Sequence, residues 1–286
     1  MRKILAVCSV LAVSGCAVII APDGNDARFE TVWSSNAVKG NGEIITDKRQ
    51  VAGAPMLSIS GPVQMEVRVG TSPSLEVIGD SNLVGLVQMQ TMGDTQKIWL
   101  DDKFYSNSPI RVVYTVPSLK EVTASGSGRL LINGLNGGDF AVKNTGSRTV
   151  ILEGTVAQLD ISSTGSGRIN AMGLNSNDAR VRVQGSGSLT LGAVNGNELN
   201  ISTHGSGSVN ASGQVKKLVA QTHGSGSVEL ASVKSMSADI GSYGSGDVFA
   251  SVTQSVVAQS NGSGNITIYG NPAQRHVNGK RVSFIN

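Results

Sequence analysis

Two histidines of the chain occupy equivalent places and are the first candidates for metal chemistry. His204 and His223 each directly precede a Gly-Ser-Gly triplet, which predicts that they stack on neighbouring coils of a repeat. A zinc site needs a third and a fourth ligand beside such a pair, and the next residue at that position, Tyr243, is a poor zinc ligand. We therefore expect an exposed polar column rather than a metal site, and we expect no cofactor.

Carboxylates are the second candidates, because polysaccharide lyases and hydrolases built on β-helices use clustered acidic groups. The acidic residues expected to face outward before the triplets are Asp160 and Asp239, four coils or about 19 Å apart. Paired carboxylates for glycoside hydrolysis lie about 5 to 9.5 Å apart. Arg180 and Arg182 fall one coil from Asp160, which indicates surface ion pairing. We interpret the chain as a non-enzyme; a carbohydrate-active β-helix enzyme with a shallow site is the alternative.

A repeat determines which elements position these residues. The triplet Gly-Ser-Gly recurs through the second half of the chain, and a degenerate copy, Gly146-Ser147-Arg148, fills the one gap. Successive copies are 20, 19, 20, 20, 19, 20 and 18 residues apart. A fixed period of this length indicates a solenoid. The first glycines of the triplets are Gly126, Gly165, Gly185, Gly205, Gly224, Gly244 and Gly262.

Apolar residues alternate with polar ones on both sides of each triplet. Leu130 and Ile132 follow one triplet, and Leu159 and Ile161 precede another; a period of two indicates strands with one inward face. With no helical segment in the repeats, the sequence predicts an all-β fold. We expect a single-stranded parallel β-helix, right-handed, with coils of about 20 residues. The triplets are its corners, where a sharp turn needs positive φ or close backbone approach.

The N-terminal residues indicate an export signal and a lipid anchor. Arg2 and Lys3 precede a short apolar run, and Val13-Ser14-Gly15-Cys16 resembles a bacterial lipobox. We therefore predict a lipoprotein signal peptide over 1–15 and a lipid-anchored tether over 16–37. The resemblance implies cleavage before Cys16 and attachment of diacylglycerol to its sulfur. Ala17 after the cysteine is typical of outer-membrane sorting, with the head facing either the periplasm or the outside.

The rest of the chain divides into three parts by its regularity. Residues 38–120 are rich in strand patterns but irregular, which predicts an N-terminal cap and the first coils. Residues 121–269 carry the regular repeats, and 270–286 are expected to cap the other end, because a β-helix has an exposed edge at each end. The net charge of +3 and the lack of a basic stripe argue against nucleic acid as a partner.

Several landmarks occur in one order along the chain. They are Gly42-Glu43-Ile44-Ile45 with Arg49, Ser60-Gly61-Pro62-Val63, Tyr114-Thr115-Val116-Pro117 with Leu119, the triplets, and Gly270-Asn271-Pro272. In these features the chain resembles the head GIN domain family, described as auto-transporter adhesins, over about Val38 to Lys280. The resemblance implies a β-helical fold in a secreted or lipid-anchored envelope protein and supplies no catalytic residues. The chain departs from the family pattern at Arg148 and in a shortened, basic C-terminal segment.

The outward surface carries the functional prediction. Its ladders of Ser, Thr, Asn and Gln are nearly uncharged and suit hydrogen bonding along a polysaccharide or a partner protein. Within them, His204, His223, Tyr243 and Phe249 form the candidate binding surface. We predict a non-enzymatic cell-envelope lipoprotein, anchored in the membrane through Cys16, whose β-helical head binds or scaffolds at the bacterial surface. The expected role is that of an adhesin, with a glycan or an envelope protein as partner.

Overall fold

The fold is a β-solenoid, as the sequence predicted. The computed structural model describes residues 37–100 and 104–286, so the predicted signal peptide, Cys16 and nearly all of the predicted tether lie outside the described residues. About 71% of the structure is strand, in about eight turns of roughly 20 residues each. The described residues contain one short 3-10 helix, Val84–Leu86, and no α-helix. None of them forms a helix long and apolar enough to cross a membrane.

The strands lengthen where the repeat becomes regular. The first twelve are β1 (Val38–Lys39), β2 (Ile44–Arg49), β3 (Met56–Ser60), β4 (Gln64–Val69), β5 (Ser74–Asp80), β6 (Gln88–Met92), β7 (Thr95–Trp99), β8 (Phe104–Tyr105), β9 (Arg111–Val116), β10 (Glu121–Gly126), β11 (Arg129–Asn136) and β12 (Phe140–Gly146). The long ones are β13 (Thr149–Gly165), β14 (Arg168–Gly185), β15 (Ser188–Gly205), β16 (Ser208–Gly224), β17 (Val228–Ser242) and β18 (Val248–Ser260). Three short strands follow, namely β19 (Ile266–Tyr269), β20 (Gln274–Asn278) and β21 (Val282–Ile285).

Two continuous parallel ladders hold the turns together. In the first ladder, the segment before each corner pairs with the segment before the next corner, from β3 through β10 and β12 to β20. In the second ladder, the segment after each corner pairs with the segment after the next one, from β4 through β11 to β21. Residues one repeat apart are direct partners, as Gly165 is with Gly185 and Gly185 with Gly205. Each turn therefore contributes one rung, about 4.8 Å from the next, and equivalent residues form columns.

The interior is filled by the apolar positions that alternate along the strands. Leu130, Ile132, Leu159 and Ile161 are each at most 1% exposed. The third apolar position of each turn is buried as well, with Val194 at 1% exposure. Burial of one continuous column of Leu, Ile, Val and Ala is the main driving force for folding. The predicted inward face is thus confirmed.

The N-terminal end departs from a simple spiral. Strand β7 pairs in parallel with β3, and β9 pairs in parallel with β4. The rung of β3 and β4 is therefore flanked by β10 and β11 on one side and by β7 and β9 on the other. The rung of β7 and β9 is the outer one at this end, although it comes later in the chain than β3 and β4. Strands β2, β5 and β6 then add antiparallel to this end, through β2–β5, β5–β9 and β6–β7. The antiparallel strands continue the hydrogen bonding past the last parallel rung, so this edge is not left unpaired.

The C-terminal end is closed by one further rung. Strands β20 and β21 pair in parallel with β18 and β19, and Arg275 stands opposite the buried Val256 in an inward column. Its guanidinium lies 4.2 Å from the centre of the Phe284 ring. Its Nε donates to the carbonyl of Pro272 at 3.0 Å. A cation held over the last aromatic ring covers the end of the apolar interior while remaining hydrated on its outer side.

The corners require glycine for both of the expected reasons. Gly185 has a φ of +113°, and a Cβ there would lie 2.5 Å from the carbonyl oxygen of Gly165. At Gly244 and Gly262 the backbone is not left-handed, yet a Cβ would lie 2.0 and 1.9 Å from the carbonyl oxygen of the preceding corner. Close approach of stacked backbones is therefore the requirement that the corners from Gly165 onward share.

A buried polar column runs inside the corners, and the sequence analysis missed it. Ser242 donates from Oγ to the carbonyl of Gly246 at 3.1 Å, across the corner. Thr203 donates from Oγ1 to Oγ1 of Thr222 on the next rung at 2.8 Å. These bonds satisfy hydroxyl groups and corner carbonyls that would otherwise be buried without partners.

Arg148, the departure from the triplet, is fully buried. Its Nη1 donates to the carbonyl of Val63 at 2.9 Å, and its Nη2 donates to the carbonyls of Gly61 at 2.6 Å and Ser125 at 3.3 Å. Burial lowers the pKa of this guanidinium from its ordinary value. The side chain thus connects the regular corners to the irregular corner at Gly61, whose carbonyls need donors.

Adding one methyl group at a regular corner is expected to cost more than adding it at an open turn. In Gly205→Ala the new Cβ would lie 2.6 Å from the carbonyl oxygen of Gly185, at a φ of +114°. Gly137→Ala is the matched control, with a φ of +75° and nothing within 4 Å. We expect a loss of about 1 kcal/mol in the free energy of unfolding for the control and about 3 kcal/mol or more for Gly205→Ala. Chemical denaturation measures both; equal losses would contradict the stacking argument.

Restoring the triplet at Arg148 is expected to destabilise the protein. Arg148→Gly leaves the three carbonyls of Gly61, Val63 and Ser125 without their donor, at a cost of about 2 to 4 kcal/mol in the free energy of unfolding. Arg168→Gly, which removes an exposed arginine at the start of β14, is the control and should cost about 1 kcal/mol. Urea midpoints of the two variants and the parent test this. An Arg148→Gly variant as stable as the parent would show that the carbonyls do not need the guanidinium.

Candidate functional site

Three of the predicted surface residues form one aromatic stack. The ring centres of His204 and His223 are 4.7 Å apart with an angle of 3° between the planes. Those of His223 and Tyr243 are also 4.7 Å apart, at 12°. This separation is the spacing of hydrogen-bonded strands, so the rings stack because the ladder places them one rung apart. Their faces cover one another, and the ring edges, with imidazole nitrogens and the phenol hydroxyl, are the groups left to meet a partner.

The last ring of the stack is held in place by its neighbours. Gly241 leaves room for it, since a Cβ there would lie 2.7 Å from the Tyr243 ring. The Tyr243 hydroxyl donates to Oε1 of Gln259 at 3.2 Å. The hydroxyl therefore bonds to a residue of the next rung, since Gln259 stands opposite Gly241. This bond limits rotation of the Tyr243 ring before any partner binds.

The chemistry of this stack is hydrogen bonding and stacking. Within the described part of the chain, no three His, Cys, Asp or Glu side chains come together as a metal site would need. His204 and His223 are both exposed, and the side chain of Tyr243 is 36% exposed. Imidazole nitrogens and a phenol hydroxyl donate and accept hydrogen bonds, which suits the hydroxyl groups of a saccharide or a polar peptide.

Phe249 lies on the other side of the corner and belongs to a separate surface. Its column runs Glu229, Phe249 and Thr267, and its side chain is half-buried. It lines a concavity that does not include Tyr243. The corner residues 244–246 lie between Tyr243 and Phe249 in the chain, and whether the two residues share a partner stays a prediction.

The concavity beside Phe249 is open and has a volume of about 660 Å³. One edge is acidic, where Oδ1 of Asp247 accepts from the backbone N and from Nδ2 of Asn265 at 2.8 and 3.1 Å. The other edge is basic, with the exposed side chains of Lys280 and Arg281. Its full lining is Asp247, Phe249, Asn265, Thr267, Lys280, Arg281, Val282 and Ser283.

A second concavity, of about 450 Å³, opens near the N-terminal end. Its apolar lining includes Leu119, Leu135 and Phe140, all of them core residues with at most 7% exposure. Gly138, in the turn between β11 and β12, lies at its wall. The concavity is thus a place where the apolar interior reaches the surface at an irregular turn.

The outward acidic residues are not brought together. In the strand register, Asp160 stands opposite Arg180, and this column continues through Asn200 and Val219 to Asp239. Four rungs separate the two carboxylates, about 19 Å, which is too far for the paired acids of a glycosidase. The predicted ion pair is present, with Nη1 of Arg182 3.5 Å from Oδ1 of Asp160.

The stack is expected to couple its members energetically. A double-mutant cycle of His223→Ala and Tyr243→Ala should give a coupling energy of about 0.5 to 1 kcal/mol, because the rings are in contact and half exposed. Gln184→Ala with Tyr243→Ala is the control, since the two positions are three rungs apart in the same column. Their effects on the denaturation midpoint should add. Additive effects for the His223 and Tyr243 pair as well would show that the stack is incidental to stability.

Solved structures with a similar fold come from Parabacteroides species. A "putative adhesin" from Parabacteroides merdae is 22% identical, covers 88% of this chain and 100% of its own, and has a TM-score of 0.66. A "putative adhesin" from Parabacteroides distasonis is 20% identical, covers 87% and 99%, and has a TM-score of 0.65. A "putative lipid binding protein" from the same species is 20% identical, covers 87% and 100%, and has a TM-score of 0.63. At these identities the likeness concerns the fold.

The sequence itself matches a family model twice, over residues 56–174 and 160–272. No curated protein matches it. The two overlapping matches span the solenoid from β3 to the start of the last rung. A double match is what a repeat produces, since equivalent turns satisfy the same pattern. The chain therefore belongs to the family described as "Putative auto-transporter adhesin, head GIN domain".

Proposed function

We propose that this protein is a non-enzymatic lipoprotein of the bacterial envelope whose β-helical head binds a glycan or an envelope protein at the cell surface, as an adhesin. The observation that carries the proposal is the stack of His204, His223 and Tyr243 on a regular polar face. Its ring edges point outward in register with the neighbouring polar columns. The family description and the naming of two similar solved structures as "putative adhesin" agree with this role.

The polar face suits an extended partner. In the column of the stack, Thr145, Thr164 and Gln184 lie on the rungs before His204. The adjacent outward column carries Arg182, Ser202 and Gln221. Hydrogen-bonding groups thus repeat about every 4.8 Å along the solenoid. A polymer with its own short repeat, such as a polysaccharide, is able to bond to several rungs at once, so weak single contacts add up.

The non-enzymatic part of the proposal depends on the placement of the acids. Asp160 is paired with Arg182, and Asp239 lies four rungs away. The regular turns between them carry no long insertion that would wall a cleft around a substrate. A surface of this kind holds a ligand without activating water or a nucleophile against it.

The membrane anchor is part of the proposal and comes from the sequence. The lipobox-like segment ending at Cys16 would place two or three acyl chains at the mature N-terminus, enough for stable membrane attachment. The residues up to 37 would then act as a tether for the head. A surface-facing anchor in the outer membrane is the arrangement in which the polar face meets other cells or host glycans.

Protease treatment of intact cells tests the surface location. The full-length chain with a C-terminal tag is expressed in a Gram-negative host, and intact cells are treated with proteinase K. We expect the tagged head to be lost from intact cells. Cys16→Ser should prevent anchoring, so the head should leave the membrane fraction. Protection of the tag until the outer membrane is breached would contradict the adhesin proposal.

Adhesion of the same cells tests the binding surface. Cells that express the parent chain should adhere to mucin-coated plates more than cells without it. We expect the double variant His223→Ala and Tyr243→Ala to reduce adhesion at least several-fold, because it removes the exposed ring edges. Gln214→Ala, an exposed residue of β16 that pairs with Asn195 and Lys234 outside these columns, is the control and should change adhesion little. Equal adhesion by all strains would contradict the assignment of the stack.

A further inference from the structure

We propose that the concavity beside Phe249 binds acidic saccharides, sugars that carry a carboxylate or a sulfate. The inference rests on the proposed function, since it names a class of glycan that the head would bind. The ligand would contact Phe249 with the apolar face of one sugar ring and Arg281 and Lys280 with its anionic group. Ser283, which is exposed and whose Oγ also donates to Oγ1 of the buried Thr267 at 3.4 Å, would bond to a sugar hydroxyl.

Two parallel columns form the floor of this concavity. Phe249, Thr267 and Ser283 are direct partners on consecutive rungs. The corner residues just before each of these segments are Asp247, Asn265 and Arg281, and their rungs are joined by bonds such as Ile266 N to the Arg281 carbonyl at 2.8 Å. Three rungs span about 10 Å along the solenoid. With a volume of about 660 Å³, the concavity is in the size range of pockets for small ligands.

Phe249 gives the concavity a feature that the neighbouring regular turns lack. The outward column at this position carries Asn170, Thr190, Asn210 and Glu229 on the preceding rungs. Phe249 has the polar residues Glu229 and Thr267 on the rungs directly before and after it. Aromatic rings that are partly exposed beside hydrogen-bonding groups are suited to the C–H face of a sugar.

The basic edge differs from those positions of the solenoid where a cation forms an ion pair. Lys143 lies 2.7 Å from Glu121, and Arg68 lies 2.7 Å from Glu66. Lys280 and Arg281 have no carboxylate within ion-pair distance in the part of the chain that the structure describes. They are also free of the role that Arg275 has in covering Phe284.

The acidic edge does not cancel this charge. Asp247 lies two rungs, or about 10 Å, from Arg281. Its Oδ1 is already bonded to both N–H groups of Asn265. An anionic group at the Arg281 end is therefore close to two cations and far from the carboxylate. Arginine binds a carboxylate or a sulfate through two parallel N–H bonds, which gives the ligand a fixed direction along the groove.

The test compares one saccharide with and without its charge. Full-length lipoprotein in detergent is titrated with trigalacturonic acid and with its fully methyl-esterified form, and binding is measured by calorimetry at low and high salt. We expect the acid to bind at least tenfold more tightly than the ester, with affinity falling as salt is raised. Equal affinity for acid and ester, or no binding of the acid, would overturn the inference.

Variants locate the site. The double variant Lys280→Gln, Arg281→Gln should weaken binding of the acid at least tenfold. Phe249→Thr introduces the residue type that Thr190 has in the same column, and it should weaken binding of the acid at least tenfold as well. Arg168→Gln removes an exposed arginine on a distant rung and should leave it unchanged. Thermal denaturation of each variant shows whether the fold is kept, and undiminished binding by a folded Lys280→Gln, Arg281→Gln variant would overturn the assignment.

Failure of this inference is distinguishable from failure of the proposed function. Cells that carry the Lys280→Gln, Arg281→Gln variant and still adhere, while a His223→Ala, Tyr243→Ala variant does not, would overturn the acidic-saccharide site and keep the adhesin. Loss of acid binding by the purified variant, together with reduced adhesion to a polygalacturonate coat, would support both.

Discussion

The close stacking of one corner on the next is the constraint on which the structure depends. Ser186 N donates to the carbonyl of Gly165 at 2.9 Å, and Ser206 N donates to that of Gly185 at 2.9 Å. These bonds leave no space for a Cβ, so the chain has glycine there and the rungs stay in register. Register in turn decides that His204 meets His223 and that Phe249 meets Thr267. The candidate binding surfaces are thus consequences of a backbone requirement some residues away from them.

The landmarks of the family serve this same structure. The backbone N of Gly42 donates to the buried Asp80 at 2.7 Å, and Nη2 of Arg49 donates to the carbonyl of Val84 at 2.8 Å. Tyr114 is buried and donates to the carbonyl of Ala54 at 3.1 Å, and burial raises its pKa to about 12. Each of these residues fastens the N-terminal cap. The landmarks therefore specify the solenoid and its cap, whereas the candidate binding residues lie outside them.

The period of the triplet was enough to predict the regular turns, because in a parallel ladder a residue's partner lies one repeat away. It could not predict the N-terminal end, where β7 and β9 lie beyond β3 and β4 and pairing follows no sequence interval. Nor could it show that Arg148 crosses two rungs to reach Gly61, since side-chain direction at a corner is not periodic. Nor could it show that Phe249 lines a concavity without Tyr243, although only a few residues lie between them.

Binding specificity in such a molecule has to come from exceptions to the repeat. A column of identical polar residues offers every ligand the same spacing and so discriminates little between partners. Such exceptions on the outer faces of the later turns include the aromatic stack ending at Tyr243, Phe249, and the cations Lys280 and Arg281. They lie on nearby rungs on either side of one corner line. A glycan chain that bends over this edge would meet ring edges on one face and charge on the other, so in the proposed adhesin the regular scaffold would supply position and its irregular residues would supply recognition.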